Sequence, residues 1–329
     1  MSKLVNWGII GPGVIAGLFV NDLARSPHAR VAAVGSSSVE RARDFAGQHG
    51  IPRAYGSYDE LVRDPEVDIV YIATLHPAHR ENALAAIAAG KAVLCEKSFT
   101  MNASELRDII AAARARKLFA MEAMWTRFLP AIVKVREWLG SGVIGDVRQV
   151  NVSFGNLAPW NPDSRLFSPQ LGGGALLDVG IYAVSFVSMA TGRQPDSIHS
   201  RAHIGETGVD EYFSAMFGYA DGCVAHVTAG LRLKSKHEAV ILGTRGEIRV
   251  PDFWRAKQAE LTVYDKSTEV YTDTSEGGLI YEAEEAMGCL RAGKPESAVM
   301  PLDESLRIME TMDAMRANWG LVYPGERPI

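Results

Sequence analysis

The sequence has few cysteines, and their placement excludes the common cysteine-based sites. Its three cysteines, Cys95, Cys223 and Cys289, lie far apart, and no C-x-x-C pair occurs. An odd number of widely spaced cysteines is typical of a reducing compartment and argues against a disulfide framework or a zinc site. We therefore expect a cytoplasmic protein without a bound metal.

The sequence also lacks an excess of positive charge. Its 329 residues include 34 Lys and Arg against 39 Asp and Glu, a formal net charge of -5. A nucleic-acid-binding protein usually has a basic balance, so we expect no nucleic-acid partner. Hydrophobic residues make up 47% and charged residues 22%, which is typical of a globular chain, and the length favours about two domains.

Long uncharged runs are scarce, and the one candidate does not resemble a membrane span. Asp178 is the only charged residue in 166–192, and the centre of this stretch carries Gly172–Gly174 and Gly180. A charged residue at the centre of a membrane helix costs about 2.5–3.5 kcal/mol. A strand-like run begins at Val5 and leaves no room for a signal peptide. We expect no membrane partner.

The first third of the chain alternates short apolar runs with helical patterns. The strand-like runs are 5–10, 31–34, 69–73, 92–95 and 118–121. Helical spacing occupies 14–24, 39–49, 80–89 and 103–116. This alternation predicts right-handed βαβ crossovers and a parallel sheet covered on both faces.

The pattern changes after about residue 122. Short segments of alternating polarity follow at 149–154, 212–219, 223–229, 239–242, 247–250 and 261–264, separated by turn signals such as Asp221-Gly222. They predict an open, mostly antiparallel sheet with one covered face, and two helices at 281–292 and 302–319 close the chain. The expected fold class is α/β, with a dinucleotide-binding domain over 1–124 and an α+β domain over 125–329. The closing helices can pack back on the first domain.

A phosphate-binding loop follows the first strand. Gly11, Gly13, Val14, Ile15 and Ala16 belong to a G-x-G-x-x-A match that opens a helix, which is the context of a dinucleotide site. Gly11 permits the tight turn, Gly13 lets backbone N–H groups approach a pyrophosphate, and Ala16 allows close helix–strand packing. A glycine-rich turn without a ligand is the alternative.

The end of the second strand indicates which dinucleotide binds. NAD-specific proteins usually place an acid there, whereas this chain has Gly35-Ser36-Ser37-Ser38-Val39-Glu40-Arg41. Ser36, Ser37 and Arg41 suit a 2′-phosphate, because Arg forms forked, charge-assisted bonds with phosphate. Alternatively, Ser38 only caps the helix and Arg41 is a solvated surface charge. We expect NADP, with NAD as the alternative cofactor.

Further polar residues follow the next two strands. Because ligands bind outside the carboxyl ends of parallel strands, Lys97 is expected near the nicotinamide. The other residues expected at the cofactor are Thr74, Leu75, His76, His79 and Glu96, and His76 is also a candidate substrate contact. Either histidine can equally be an ordinary polar loop residue.

Asp178 and Tyr182 are spaced four residues apart in the apolar run after Gly172–Gly174. In a helix they project from one face, and an acid in an apolar run requires a partner. One interpretation is a helix-capping Asp and a core Tyr. The other is a proton-transfer pair that works with Lys97, whose ammonium lowers the phenol pKa.

Together these motifs resemble the glucose–fructose oxidoreductase/inositol dehydrogenase (Gfo/Idh/MocA) family. The likeness rests on 11–16, on Glu96-Lys97 in place of the family's E-K-P, and on GGGALLDVGIY at 172–182. Within the family, 122–130 and the C-terminal Trp319-Gly320-Leu321-Val322-Tyr323-Pro324 are similar to the dimeric trans-dihydrodiol dehydrogenase and NADP-dependent D-xylose 1-dehydrogenase branch.

The resemblance implies a Rossmann domain followed by an α+β domain whose open sheet forms a homodimer. It assigns Lys97 to the reacting hydroxyl, Tyr182 to proton transfer and Asp178 to supporting both. It also implies substrate contacts from Trp125, Arg127, Phe154 and Phe167, and a cofactor contact at the pocket rim from Arg165. Ser98 replaces the family's proline, which leaves the backbone after Lys97 freer unless neighbouring contacts hold it.

The implied activity is hydride transfer between NADP and a secondary or hemiacetal hydroxyl of a cyclic polyol. A pyranose sugar or a trans-dihydrodiol suits aromatic walls at Trp125 and Phe154. The first alternative is the reverse reaction on a keto-sugar such as 1,5-anhydrofructose. The second is a non-catalytic protein that senses dinucleotides, against which the intact set of Lys97, Asp178 and Tyr182 argues.

Overall fold

The structure, a computed structural model, describes residues 4–266 and 268–326. The chain forms two compact units, each made of two segments. Unit 1 comprises Met1–Trp125 and Gly277–Ser305, and unit 2 comprises Thr126–Glu276 and Leu306–Ile329. The division at residue 124 remains a prediction for independently folding domains.

Unit 1 contains a six-stranded parallel sheet in the order β3-β2-β1-β4-β5-β6. In chain order its strands are β1 (Val5–Ile10), β2 (Ala29–Gly35), β3 (Arg53–Tyr55), β4 (Ile69–Ile72), β5 (Ala92–Glu96) and β6 (Ala120–Ala123). This is the strand order of a Rossmann sheet, which confirms the predicted fold class. The order reverses between β1 and β4, so ligands are expected at the carboxyl ends of these two strands.

The helices of unit 1 follow the apolar spacing of the sequence. They are α1 (Val14–Leu23), α2 (Val39–His49), α3 (Tyr58–Val62), α4 (His79–Ala88), α5 (Ala103–Arg116) and α8 (Ile280–Arg291). Ser38, Ser57 and Asn102 accept backbone N–H groups at the starts of α2, α3 and α5. Asp22 of α1 accepts from the backbone N–H groups of Gly278 and Leu279, which ties the start of α8 to this unit.

Unit 2 contains an eight-stranded sheet in the order β14-β13-β12-β11-β7-β10-β9-β8. Its strands are β7 (Val147–Gly155), β8 (Ser197–Ile204), β9 (Asp210–Gly218), β10 (Val224–Gly230), β11 (Glu238–Gly243), β12 (Gly246–Pro251), β13 (Gln258–Val263) and β14 (Thr268–Thr272). β7 and β10 pair in parallel, and the other neighbours are antiparallel. The predicted mostly antiparallel sheet is therefore confirmed.

One face of this second sheet is packed and the other is open. Val150 and Val152 of β7 are buried beneath helix α7 (Ile181–Thr191), whereas Gln149, Asn151 and Ser153 on the other face are half-buried. The remaining helices are α6 (Pro130–Gly140) and α9 (Leu302–Trp319). All of α6 and most of α9 belong to unit 2. The alternation of buried and half-buried residues follows from the period of two in a strand.

The glycine-rich segment of unit 2 departs from the single α-helix that the sequence predicts. Leu176–Gly180 forms a π-helical turn, and the α-helical geometry of α7 begins at Ile181. Asp178 therefore lies in the π-helical turn and Tyr182 in the first turn of α7. Such turns within helices occur frequently at functional sites.

A helical run long and apolar enough to cross a membrane occurs once in the described part of the chain, at Pro169–Thr191. Its most apolar window is 89% buried inside the protein. Since buried core helices meet the same criteria of length and composition, this run is weak evidence for a membrane span.

Candidate functional site

The loop between β1 and α1 has the geometry of an anion-binding loop. Gly11 has φ +88, and a Cβ at this position would lie 2.9 Å from the Thr74 methyl group and 3.0 Å from the Ala73 carbonyl oxygen. The space beside Gly13 is open, and no side chain caps the first turn of α1. The uncapped N–H groups at Val14, Ile15 and Ala16 fit a dinucleotide pyrophosphate.

Two of the three residues proposed for the 2′-phosphate contact each other after β2. The Arg41 guanidinium donates to the Ser37 hydroxyl at 2.8 Å, and both residues are exposed. Ser36 is buried, and its hydroxyl accepts from the N–H of Ser38. Ser38 does cap α2, and it also donates to Glu40 at 2.8 Å. An exposed cation beside a hydroxyl fits a phosphate group.

The turn after β5, which carries Lys97, is held by both predicted histidines. His76 Nε2 lies 3.2 Å from the Lys97 carbonyl oxygen. His79 Nδ1 lies 3.0 Å from Ser98 O, and its Nε2 lies 2.9 Å from Thr74 O. Burial lowers the pKa of His79, so a neutral ring donates its one N–H to one of these two carbonyls. The two histidines therefore link the loop after β4 to the turn after β5.

Ser98, which stands where the family has proline, lies in a backbone that its neighbours fix. The peptide bond between Lys97 and Ser98 is cis. Ser98 is fully buried, and the next residue, Phe99, donates its N–H to the buried Glu122 carboxylate at 3.1 Å. Contacts from His76, His79 and Glu122 thus act on three successive residues, while the Lys97 side chain is only half-buried.

Glu96 is buried, and its carboxylate belongs to an acidic cluster within unit 1. Tyr71 donates to Glu96 Oε1 at 2.5 Å, and the N–H of Lys97 donates to Oε2 at 3.2 Å. Glu282 of α8 is fully buried, and neither of its carboxyl oxygens has a hydrogen-bond partner among the described residues. Burial and the Glu96 charge raise the pKa of Glu282 well above the usual range, which favours its uncharged form.

In unit 2, the acid and the tyrosine predicted for proton transfer lie at the start of the helical segment. Asp178 Oδ1 accepts from the half-exposed Arg165 guanidinium at 2.9 Å. The predicted Asp178 and Arg165 are therefore paired. Tyr182 is 7% exposed, and its ring lies 5.6 Å from that of Phe154.

An aromatic cluster surrounds Tyr182, and the sequence reasoning missed two of its members. Trp254 stacks on Phe154 with ring centroids 5.3 Å apart and lies 6.2 Å from Tyr182. His237 lies edge-on to Phe154, and Trp254 donates its indole N–H to His237 Nδ1 at 3.3 Å. A lone Trp after strand β12 has no periodic signal, so only the fold brings it to this place. The cluster therefore packs aromatic rings beside the Tyr182 phenol.

Three predicted substrate residues have other surroundings. Arg127 is buried, and its guanidinium donates to the hydroxyl and the carbonyl oxygen of Ser185, so these contacts hold α7. Phe167 is fully buried against Trp160 instead of standing at a pocket rim. Trp125 follows β6 and is half-buried at the end of unit 1. Substrate contacts from these residues remain predictions.

Leu75 is 40% exposed in the loop after β4, as a residue near a bound ligand can be. Within residues 4–266 and 268–326, no group of three or more His, Cys, Asp or Glu is arranged to hold a metal ion.

A Rossmann sheet with an uncapped glycine loop, followed by a mostly antiparallel sheet, is the architecture of a dinucleotide-binding protein. The chain belongs to the GFO/IDH/MocA family. Residues 5–123 match the family model described as "Oxidoreductase family, NAD-binding Rossmann fold", and 132–249 match the GFO/IDH/MocA C-terminal domain. The family and enzyme class that the sequence predicts are confirmed.

Relatives of known name extend over nearly the whole chain. A trans-1,2-dihydrobenzene-1,2-diol dehydrogenase from Xenopus laevis is 38% identical over 97% of this chain and 99% of its own. The Homo sapiens protein of that name is 37% identical over 98% and 99%. Among solved structures, an aldose-aldose oxidoreductase from Caulobacter crescentus has a TM-score of 0.86 at 21% identity, covering 95% of this chain and 96% of that chain.

Another similar fold is a 3-ketoreductase from Actinomadura kijaniata, which was crystallised with NADP and TDP-benzene. Its TM-score is 0.84 at 24% identity, with 95% of this chain and 97% of that chain covered. These two structural likenesses bear on the fold alone.

Proposed function

We propose that this protein is an NADP-linked dehydrogenase that oxidises a secondary or hemiacetal hydroxyl on a ring. The observation that carries the proposal is the turn after β5, where His76, His79 and Glu122 fix the backbone around Lys97. A fixed backbone beneath a half-buried lysine, at the carboxyl edge of a Rossmann sheet, is what orienting a reacting hydroxyl requires.

The chain's own residues supply the proton chemistry. The loop from Gly11 to Ala16 would hold the dinucleotide, which would supply the acceptor or donor of the hydride. The Lys97 ammonium donates a hydrogen bond to the reacting oxygen. Tyr182 takes the hydroxyl proton as the phenolate during oxidation and returns it as the phenol during reduction. Asp178, paired with Arg165 at 2.9 Å, supports the Tyr182 phenol within unit 2. The reverse reaction, reduction of a keto-sugar, uses the same residues.

The substrate class follows from the aromatic cluster. Phe154 and Trp254 bring aromatic ring surface close to Tyr182, and such a surface suits a pyranose or a cyclohexadiene diol. The relatives named dihydrodiol dehydrogenases, at 37–38% identity, support the diol. For the cofactor, the contact between Arg41 and Ser37 supports NADP over NAD.

The test is turnover by the purified protein, followed by nicotinamide absorbance. Pyranoses, inositols and trans-dihydrodiols are each supplied with NADP and, separately, with NAD. The proposal expects NADP-linked turnover of one sugar or diol class. Turnover with NAD alone would overturn the cofactor assignment, and tight dinucleotide binding without any turnover, including of keto-sugars, would favour a dinucleotide-sensing protein.

The proposal includes a homodimer formed through the open face of the second sheet. One cross-strand row runs over this face through all eight strands: Val270, Glu260, Arg249, Val240, Asn151, His226, Met216 and His199. Val270 and Met216 are 53% and 41% exposed, and the row pairs Arg249 with Glu260. A face with apolar residues and both charges suits a second copy in twofold symmetry.

We also place the protein in the cytoplasm, since all three cysteines are free.

A further inference from the structure

A buried acid that none of the assigned roles uses lies at the start of the segment carrying Asp178 and Tyr182. Asp210, the first residue of β9, is fully buried. Its Oδ2 accepts the N–H of Leu176 at 2.7 Å, at the beginning of the π-helical turn. The first N–H groups of a helical segment lack partners within the helix, and a buried carboxyl oxygen satisfies one of them here. Asp210 therefore anchors this helix start to the sheet.

A tyrosine holds the preceding loop at the same place. The Tyr323 hydroxyl donates to the Gly173 carbonyl oxygen at 2.5 Å, and Tyr323 is buried. Gly174, with φ +119, lies against both groups, because a Cβ there would come within 2.3 Å of Asp210 Oδ1 and 2.9 Å of the Tyr323 hydroxyl. Asp210 thus holds the helix start, and Tyr323 holds the glycine loop directly before it.

Two further charged residues, Arg316 and Glu326, hold Tyr323 in place. The buried Arg316 guanidinium lies 5.0 Å from the centre of the Tyr323 ring and donates to Glu326 at 2.9 Å. Glu326 also accepts the backbone N–H of Tyr323 at 3.0 Å. Arg316, Glu326 and Tyr323 therefore form a buried hydrogen-bonded network next to the glycine loop. Such a network holds the Tyr323 side chain in one orientation.

We propose that Asp210 and Tyr323 are positioning residues that set the place of the Asp178 carboxylate and the Tyr182 phenol. The inference rests on the proposed function, which assigns proton transfer to those two groups. Three consecutive glycines give the loop large conformational freedom, so its geometry must be imposed from outside. Misplacing a reacting group by about 1 Å costs about 100-fold in rate.

The test compares four variants of the full chain. Asp210→Ala removes the anchor, Asp210→Asn keeps a carbonyl that accepts from Leu176, and Tyr323→Phe removes the bond to Gly173. The matched control is Asp196→Ala, since Asp196 accepts the N–H of Ala220 at 2.6 Å in an exposed turn beyond the C-terminal end of α7. For each variant, amide hydrogen exchange is measured peptide by peptide, with kcat and KM on the substrate that the wild type turns over.

The inference expects exchange over 172–182 to rise about tenfold or more in Asp210→Ala, while strands β10 and β11 keep wild-type protection. It expects kcat to fall about 10- to 100-fold with KM nearly unchanged. Asp210→Asn should restore most of the exchange protection over 172–182 and most of the kcat. Tyr323→Phe should show smaller changes in both quantities than Asp210→Ala, and Asp196→Ala should match the wild type in kcat.

Wild-type exchange over 172–182 together with wild-type kcat in Asp210→Ala would overturn the inference. So would a kcat loss without rescue by Asn in a protein that exchanges faster throughout unit 2, since that marks a purely structural role. If the wild type turns over no substrate, the proposed function fails, and the exchange data alone still show whether Asp210 orders this segment.

Discussion

Around Lys97, single side chains act mainly by fixing backbone atoms. His76, His79 and Glu122 each contact a main-chain group of the turn after β5. The sequence predicts both histidines at this edge because they follow a strand. It does not predict that they hold Lys97 and Ser98, since the partners are carbonyl oxygens about 20 residues away. Trp254 and Asp210 were missed for the same reason: tertiary contacts alone give them a role.

Replacing the single residue Arg41 tests whether the protein prefers NADP or NAD. Because its guanidinium and the Ser37 hydroxyl are adjacent and exposed, Arg41→Ala should weaken NADP binding about 10-fold or more and leave NAD binding unchanged. Titration of each dinucleotide, followed by protein fluorescence, measures both constants. Arg43→Ala, two residues further along α2, is the matched control. Equal losses for NADP and NAD in Arg41→Ala would refute the assignment of Arg41 to the 2′-phosphate.

Among elements, those with a strong periodic pattern were predicted well. The Rossmann strands and the helices from α1 to α5 are visible because apolar runs alternate with helical spacing, although the short β3 and α3 were not. The edge strands β8 and β14 were missed, since both are exposed and carry little apolar alternation. The π-helical turn at Leu176–Gly180 has no sequence signal that separates it from an α-helix.

The buried Asp210 at the helix start predicts that the free energy of unfolding depends on pH. Burial raises the pKa of Asp210 from 3.8 to about 7, opposed by the Leu176 N–H and by the charge of Arg316, with the Tyr323 phenol facing the same carboxyl. The unfolded chain therefore releases this proton at lower pH than the folded protein does. The free energy of unfolding should fall as pH rises from about 4 to 7, by up to about 4 kcal/mol from this group.

Urea unfolding of wild type and Asp210→Asn across this pH range measures the effect. The asparagine variant lacks the titrating carboxyl, so the stability of the wild type relative to the variant should decline toward pH 7 and then stay level. A difference that is constant from pH 4 to 8 would show that Asp210 ionises normally in the folded protein.

For the whole molecule, the open sheet face predicts a homodimer. Val240 lies near the centre of the cross-strand row, between Asn151 and Arg249, whereas Leu18 is an exposed apolar residue of α1 in unit 1 and serves as the control. Val240→Asp places a third acid beside Arg249, which already pairs with Glu238 and Glu260, and the added charge is costly to bury in the proposed interface. Light scattering after size exclusion should give twice the chain mass for the wild type and for Leu18→Asp, and the single-chain mass for Val240→Asp. A wild type of single-chain mass would exclude the dimer.

The most direct test of the whole account is the turnover of Lys97→Ala measured beside its affinity for NADP. The account predicts that kcat falls about 100- to 10,000-fold, because the group that orients the reacting oxygen is gone, while the NADP dissociation constant stays near the wild-type value. Lys134→Ala, a surface lysine paired with Glu137, should behave as the wild type. Unchanged turnover in Lys97→Ala would contradict the assignment of the chemistry to this turn.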